Sequence, residues 1–286
     1  MSYRILTDTC SDLPRQMLAE LDLDAVPMSL LYQGQTYDCV SDEFLKEVYD
    51  GLRSGETATT AAVNPQRWRE AMEPALKAGE DLLVLVFSSG LSTTYQSALI
   101  AAEELAEEYP GRTVRVVDTL SASLGQGLLV WYACKKRAAG MSLEEVARWV
   151  EENRLHLCHW FTVDDLMYLK RGGRIGSGTA LVGTMLGIKP VLHMDNEGHL
   201  VNVAKARGRH AAIDALVAKM KDLGQGFDNN TVFISHGDCL EDALYLEKKV
   251  KQELGVQEVI IGYIGAVIGS HSGPGTLALF FLGKER

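Results

Sequence analysis

The 286-residue chain has none of the residue spacings by which most metal and redox sites are recognised. Its seven histidines are scattered and form neither H-x-x-x-H nor H-E-x-x-H, so the sequence offers no metal site and no basis for zinc hydrolysis. The five cysteines, Cys10, Cys39, Cys134, Cys158 and Cys239, are odd in number and include no C-x-x-C, which suits free thiols in a reducing compartment. Positive charge is also short. Lys and Arg number 28 against 38 Asp and Glu, and they are interspersed, which argues against a nucleic-acid partner. No basic segment followed by an apolar core opens the chain, and the most apolar run, Val259 to Val267, is too short to cross a bilayer. A soluble, cytoplasmic protein without an integral membrane segment is expected. No internal repeat or low-complexity segment is present.

The length favours about two domains, hence a cleft between them. In the first half, the short apolar runs Tyr3 to Leu6, Ala25 to Leu31, Leu82 to Phe87 and Val114 to Val117 read as strands. They alternate with helical patterns at Thr93 to Glu108 and Ala122 to Ala139, which predicts βαβ units and a parallel sheet. Ser142, followed three residues later by Glu145, marks a helix start by a capping box near the hinge. Beyond it, His156 to Val163, Val191 to Met194, Leu200 to Ala204, Thr231 to Ser235 and Val259 to Ile264 read as strands. The Asn196-Glu197-Gly198 turn predicts a hairpin, so the second sheet should be mixed. An apolar helix is expected at the C-terminus.

Four loops carry chemistry-bearing residues. Thr7-Asp8-Thr9-Cys10-Ser11-Asp12 follows the first strand, where Ser11 or Asp12 suits the cap of the next helix and Asp8 stands at the strand tip, able to orient a neighbouring loop. Ser88-Ser89-Gly90-Leu91-Ser92-Thr93-Thr94 sets hydroxyls at a helix N-terminus, suited either to capping or to an anion, and lacks the G-x-S-x-G of a hydrolase elbow. Lys170-Arg171-Gly172-Gly173-Arg174-Ile175-Gly176-Ser177-Gly178 is basic and glycine-rich, yet fits neither nucleotide-binding glycine pattern. It reads equally as a docking patch for an acidic partner or as a solvated turn. In Gly269-Ser270-His271-Ser272-Gly273-Pro274-Gly275, Pro274 suits a first helical position and puts His271 just outside the helix cap. Two further readings stay open: an acyl hydrolase using Ser92 and His271, and a nucleotide-binding regulatory protein.

Taken together, Thr7-Asp8, Asp118-Thr119 with Ser121 to Gly127, Asp165 to Ile175, Lys189-Pro190 with Gly198 and Arg207, and Gly269 to Gly275 resemble the DegV family in order and over nearly the whole chain. The resemblance implies an α/β protein of two domains: residues 1–155, a three-layer α/β/α domain with a parallel sheet, and residues 156–286, a two-layer α/β domain with a mixed sheet. It implies a long-chain fatty acid bound between them as ligand, with no cofactor and no catalytic residue. It also implies a fatty acid kinase subunit as partner, phosphorylating the presented carboxylate in phospholipid metabolism. By position, the residues expected to hold the carboxylate are Thr60, Ser92, Arg207 and His271. Lys170, Arg171 and Arg174 are expected to face the kinase. The chain departs from the family pattern at Ala61-Ala62-Val63-Asn64, which loses the polar residues usual after the threonine, and at Thr9 and Thr93.

Overall fold

The computed structural model describes residues 3–175 and 187–286. Strand β1 (Tyr3–Asp8) passes through a 3-10 turn at Thr9–Ser11 into helix α1 (Arg15–Glu20) and strand β2 (Asp24–Val26). The single strand expected from Ala25 to Leu31 is broken at Pro27, which has no N–H with which to extend a ladder. The chain resumes as β3 (Ser29–Tyr32), in a different sheet. With β4 (Gln35–Tyr37) and β5 (Ala58–Ala61) it forms a small antiparallel sheet, ordered β4-β3-β5, and α2 (Asp42–Arg53) lies between β4 and β5 in the chain. Then α3 (Pro65–Lys77), β6 (Asp81–Val86), α4 (Thr94–Glu108) and β7 (Val114–Asp118) complete a four-stranded parallel sheet, ordered β2-β1-β6-β7. Helices α5 (Leu124–Ala138) and α6 (Leu143–Asn153) follow. The capping box at the start of α6 is formed: Ser142 N–H donates to Glu145 Oε2 at 2.8 Å and Glu145 N–H to Ser142 Oγ at 3.4 Å.

The second half contains β8 (Leu157–Thr162), α7 (Met167–Arg171), β9 (Ile188–Met194), β10 (Leu200–Arg207), α8 (Arg209–Leu223), β11 (Thr231–His236), α9 (Leu240–Leu254), β12 (Glu258–Tyr263), α10 (Ala266–Ser272) and β13 (Leu277–Leu282). Six of these strands form one mixed sheet, ordered β10-β9-β8-β13-β11-β12, in which only β11 and β12 run parallel. The β9–β10 hairpin turns where Asn196-Glu197-Gly198 predicts it, with Gly198 at φ +78°.

The C-terminal element corrects the sequence reading. Leu277 to Leu282 is not a helix but a strand inserted between β8 and β11, and all six residues are buried. A strand covered on both faces shows no alternation, so its pattern matches that of a buried helix. The segment before it also differs. His271 lies in the last turn of α10 rather than outside a helix that starts at Pro274.

The layers stack around α5. One face of the parallel sheet, with Leu82, Val84 and Val86, packs on α3 and α4 through Trp68, Met72 and Leu105. Its other face, with Ile5, Leu83 and Leu85, packs on α5 and α6. The far side of α5 meets the mixed sheet at Phe233 and Phe280, and that sheet's opposite face is covered by α8 and α9 through Ile213, Leu216 and Leu246. Helix α5 is therefore enclosed by two sheets, which explains why ten of its fifteen residues are buried and its sequence lacks a polar face. Gly125 permits the close approach: a Cβ there would collide with His159 Nε2 and the Phe280 ring.

A lipophilic cavity with one polar corner

The loops that follow β6 and β7, through Phe87, Leu91, Ser92, Ala122 and Ser123, face the mixed sheet across a cavity. Its floor belongs to the mixed sheet, where Ser235, Ala278 and Phe161 lie abreast on β11, β13 and β8, and Phe280 lies beside His159 in the next row. Phe87, Leu91, Leu169 and Ile268 enclose it from other elements. The lining is overwhelmingly apolar, so the cavity suits a hydrocarbon body rather than a sugar or nucleotide.

Besides Ser123, His159, Ser235, Ser272 and Thr276, the polar residues of the lining are Thr60 from β5, Ser92 from the β6–α4 loop, His271 from α10 and Arg174, just after α7. Thr60 Oγ1 and His271 Nε2 are 2.8 Å apart. Burial, reinforced by the Arg174 charge, pushes the His271 pKa down to about 4, so the imidazole is neutral at pH 7. The tautomer sets the direction of this bond: with its proton on Nε2 the imidazole donates to Thr60, and with it on Nδ1 it accepts from the threonine O–H. Thr94 N–H donates to Ser92 Oγ at 3.2 Å, and the Ser92 and Thr94 hydroxyls share a further hydrogen bond at 2.8 Å.

Arg174 Nε donates to Leu91 O at 3.3 Å, and a second bond reaches Gly172 O. It is half-buried and has no carboxylate within ion-pair distance among the described residues. A guanidinium without a carboxylate partner, in a cavity that the Thr60 and Ser92 hydroxyls also line, is suited to an anion. Gly172, two residues before Arg174, has a steric role: a Cβ there would collide with His271 Nδ1, so this glycine makes room for the imidazole.

The expected site residues thus divide. Thr60, Ser92 and His271 are brought to one cavity. Arg207 is not. It is exposed at the end of edge strand β10 and is absent from the lining among the described residues. Arg174, expected to face a partner, instead borders the cavity, because the chain after α7 turns inward to bury Ile175. Lys170 and Arg171 are exposed, the latter stacked over the Tyr168 ring. Gly176, Ser177 and Gly178 lie outside the described residues. Ser92 and His271 bond to different partners rather than to each other, so the arrangement is not that of a nucleophile–base pair.

Two carboxyls that support the cavity were only partly foreseen. Asp8 orients the neighbouring loop as expected, accepting from Phe87 N–H at 2.8 Å and Cys10 N–H at 3.0 Å, and burial pushes its pKa up to about 6. Asp12 was assigned only a capping role. It accepts from Ser123 Oγ at 2.5 Å and Gly265 N–H at 3.1 Å, joining the start of α5 to the start of α10, and burial pushes its pKa up to about 7. Ser123 in turn lies 3.1 Å from Ser235. This chain of contacts holds Ser123 at φ 54°, a conformation that a serine adopts only when its surroundings enforce it.

Comparison with known proteins agrees with this architecture. A family model described as an uncharacterised protein of the DegV family matches residues 2–284. A DegV domain-containing protein of Clostridium perfringens is 45% identical over 286 residues, covering 99% of this chain and 98% of its own. Among solved structures, a DegV family protein from Thermus thermophilus described for its fatty acid binding superposes with a TM-score of 0.88 at 33% identity, covering 99% of this chain and 100% of the other. DegV of Bacillus subtilis, described as a fatty acid binding protein, gives 0.83 at 26% identity, over 99% and 100% of the two chains. No helix among the described residues is long and apolar enough to cross a membrane.

Proposed function

The chain belongs to the DegV family, and from that premise and the cavity's chemistry we propose that it binds a long-chain fatty acid, carboxylate at the Thr60–Ser92–His271–Arg174 corner and tail along the apolar lining. The observation that carries the proposal is a mostly apolar cavity surface bordered by the Thr60 and Ser92 hydroxyls, the neutral His271 imidazole and a guanidinium without a carboxylate partner among the described residues. A carboxylate removed from water needs such donors to offset its lost hydration. The tail contributes about 0.8 kcal/mol per buried methylene, on the order of 10 kcal/mol gross for a long chain before the costs of association. Affinity then comes chiefly from the tail, and the polar corner fixes register. In this reading the protein is a carrier that presents the carboxylate to a fatty acid kinase for ATP-dependent phosphorylation, with exposed Lys170 and Arg171 as docking residues.

Native mass spectrometry before and after organic extraction tests the binding. The expected result is one acyl species per chain, and a lower melting temperature after stripping that palmitate or oleate restores, because a ligand bound only by the folded state stabilises it. An extract free of acyl species, together with no thermal shift on adding either acid, refutes the proposal.

A further inference from the structure

The segment that brings Arg174 to the cavity wall is built as one unit. After α7, Gly172 N–H donates to Tyr168 O at 2.9 Å, Gly173 N–H to Lys170 O at 3.0 Å and Arg174 N–H to Leu169 O at 3.0 Å, with Gly173 at φ +69°. This is the Schellman pattern of a left-handed glycine cap, which closes the helix end onto itself. Leu169 and Ile175 are buried, so the unit is also held by its apolar side chains. A shift of Tyr168 is therefore passed on to Arg174.

Two hydrogen bonds among the described residues tie this unit to the first half of the chain. At one end Arg174 Nε donates to Leu91 O at 3.3 Å, next to Ser92 in the sequence. At the other, Tyr168 O–H donates to Leu52 O at 2.7 Å, in the last turn of α2. The Tyr168 ring packs against the small core formed by α2 and β3, and a Cβ on Gly273, directly after α10, would collide with it. Tyr168 thus meets α2 through its hydroxyl and the end of α10 through its ring.

We propose that Tyr168 is a positioning residue of the fatty-acid site: its bond to Leu52 O fixes α7 against the first half and so sets where Arg174 stands at the cavity wall. The inference rests on the fatty-acid reading, and Tyr168 itself is absent from the lining among the described residues. A guanidinium serves a carboxylate only over a narrow range of distance and direction, so a loosened α7 costs affinity for the acid and not for an uncharged ester.

The test measures palmitate and methyl palmitate binding to wild type, Tyr168→Phe, Arg174→Gln, the double variant and Tyr3→Phe, with melting temperatures of the stripped proteins. Tyr168→Phe keeps the ring on Gly273 and removes only the hydroxyl. Tyr3 serves as control, because its hydroxyl likewise donates to a carbonyl, Met141 O at 3.1 Å, and the residue is absent from the cavity lining among the described residues. Expected for Tyr168→Phe is about fivefold weaker palmitate binding, less than the loss in Arg174→Gln, with methyl palmitate affinity within about twofold. In the Arg174→Gln background the same change should cost palmitate no further affinity, because the group it positions is gone. Tyr3→Phe should lower the stripped melting temperature and leave both affinities within about twofold. Undiminished palmitate affinity in Tyr168→Phe, a loss shared equally by the ester, or a loss that persists in the double variant overturns the inference while leaving the carrier reading intact. Failure of the wild type itself to bind palmitate or oleate removes the carrier reading, and the role of Tyr168 with it.

Discussion

Replacing Asp12 by Asn isolates the electrostatic cost of building the cavity's inner wall. Asp12 is half-buried, adopts φ 50°, and accepts one bond from Ser123 and one from Gly265. Asn tolerates the same left-handed conformation. Its carbonyl can accept from Gly265 N–H, and its amide can donate to Ser123, whose proton then turns to Ser235. The wall keeps its geometry and loses only its ionisation. The folded pKa is raised from 3.8 to about 7, so the folded state binds more protons than the unfolded one between those values. The protonated carboxyl's contribution to stability is thus fully present below about pH 4, declines as pH rises, and is gone above about pH 7. At about 1.4 kcal/mol per unit, roughly three units amount to about 4 kcal/mol. Urea denaturation of both proteins, stripped of ligand, from pH 5 to pH 8.5 measures the difference, and subtracting the curves removes the titration of His271 and Asp8. The stability of Asp12→Asn relative to wild type should climb by about 2 kcal/mol between pH 5 and pH 7 and level off by about pH 8. A difference that stays flat across this range would mean that the two hydrogen bonds suffice to keep Asp12 ionised, and the reasoning would fail.

Two further outcomes separate the basic residues. Arg174→Gln should weaken palmitate binding by about 1 to 2 kcal/mol while barely changing the affinity for methyl palmitate, because only the acid carries a charge to pair; Arg207→Gln should leave both unchanged, and the reverse ranking in a displacement titration would restore Arg207 to the site. Charge reversal at Lys170 and Arg171 should slow kinase-coupled acyl-phosphate formation, with the effect fading at high salt, and preserve fatty acid affinity; loss of that affinity with normal kinase coupling would remove these residues from docking.

The legible parts of the fold were those whose local pattern has one interpretation. Short apolar runs bounded by helical periodicity gave β1, β6 and β7, and Asn196-Glu197-Gly198 gave the β9–β10 hairpin. The small sheet of β3, β4 and β5 was not foreseen, because strands of three or four residues such as Gln35–Tyr37 are shorter than the window in which alternation is detected. β13 failed for the opposite reason, being uniformly apolar. In the site, Ser92 and His271 stood out as a hydroxyl and an imidazole in glycine–serine loops, while Thr60 came only from the resemblance. Nothing local distinguishes Arg174 from Arg207. What separates them is long-range: one follows a short helix whose continuation is buried, and the other ends an edge strand. Buried Ile175, directly after Arg174 in an otherwise glycine-rich stretch, was the available signal that this segment turns inward.

The position of the polar corner also determines how binding energy is divided. Thr60 belongs to β5 of the first half and His271 to α10 of the second, and they are bonded at 2.8 Å. Ser92 is likewise held by Thr94, and Asp12 ties the start of α10 to α5. A carboxylate entering this corner meets donors whose partners are in place, so little side-chain ordering remains to be done on binding. The energy gained from burying the tail is then not spent on assembling the head-group site. A preorganised corner also holds the carboxylate in one register whatever the length of the tail, which a carrier that presents the same reactive group from different acyl chains requires.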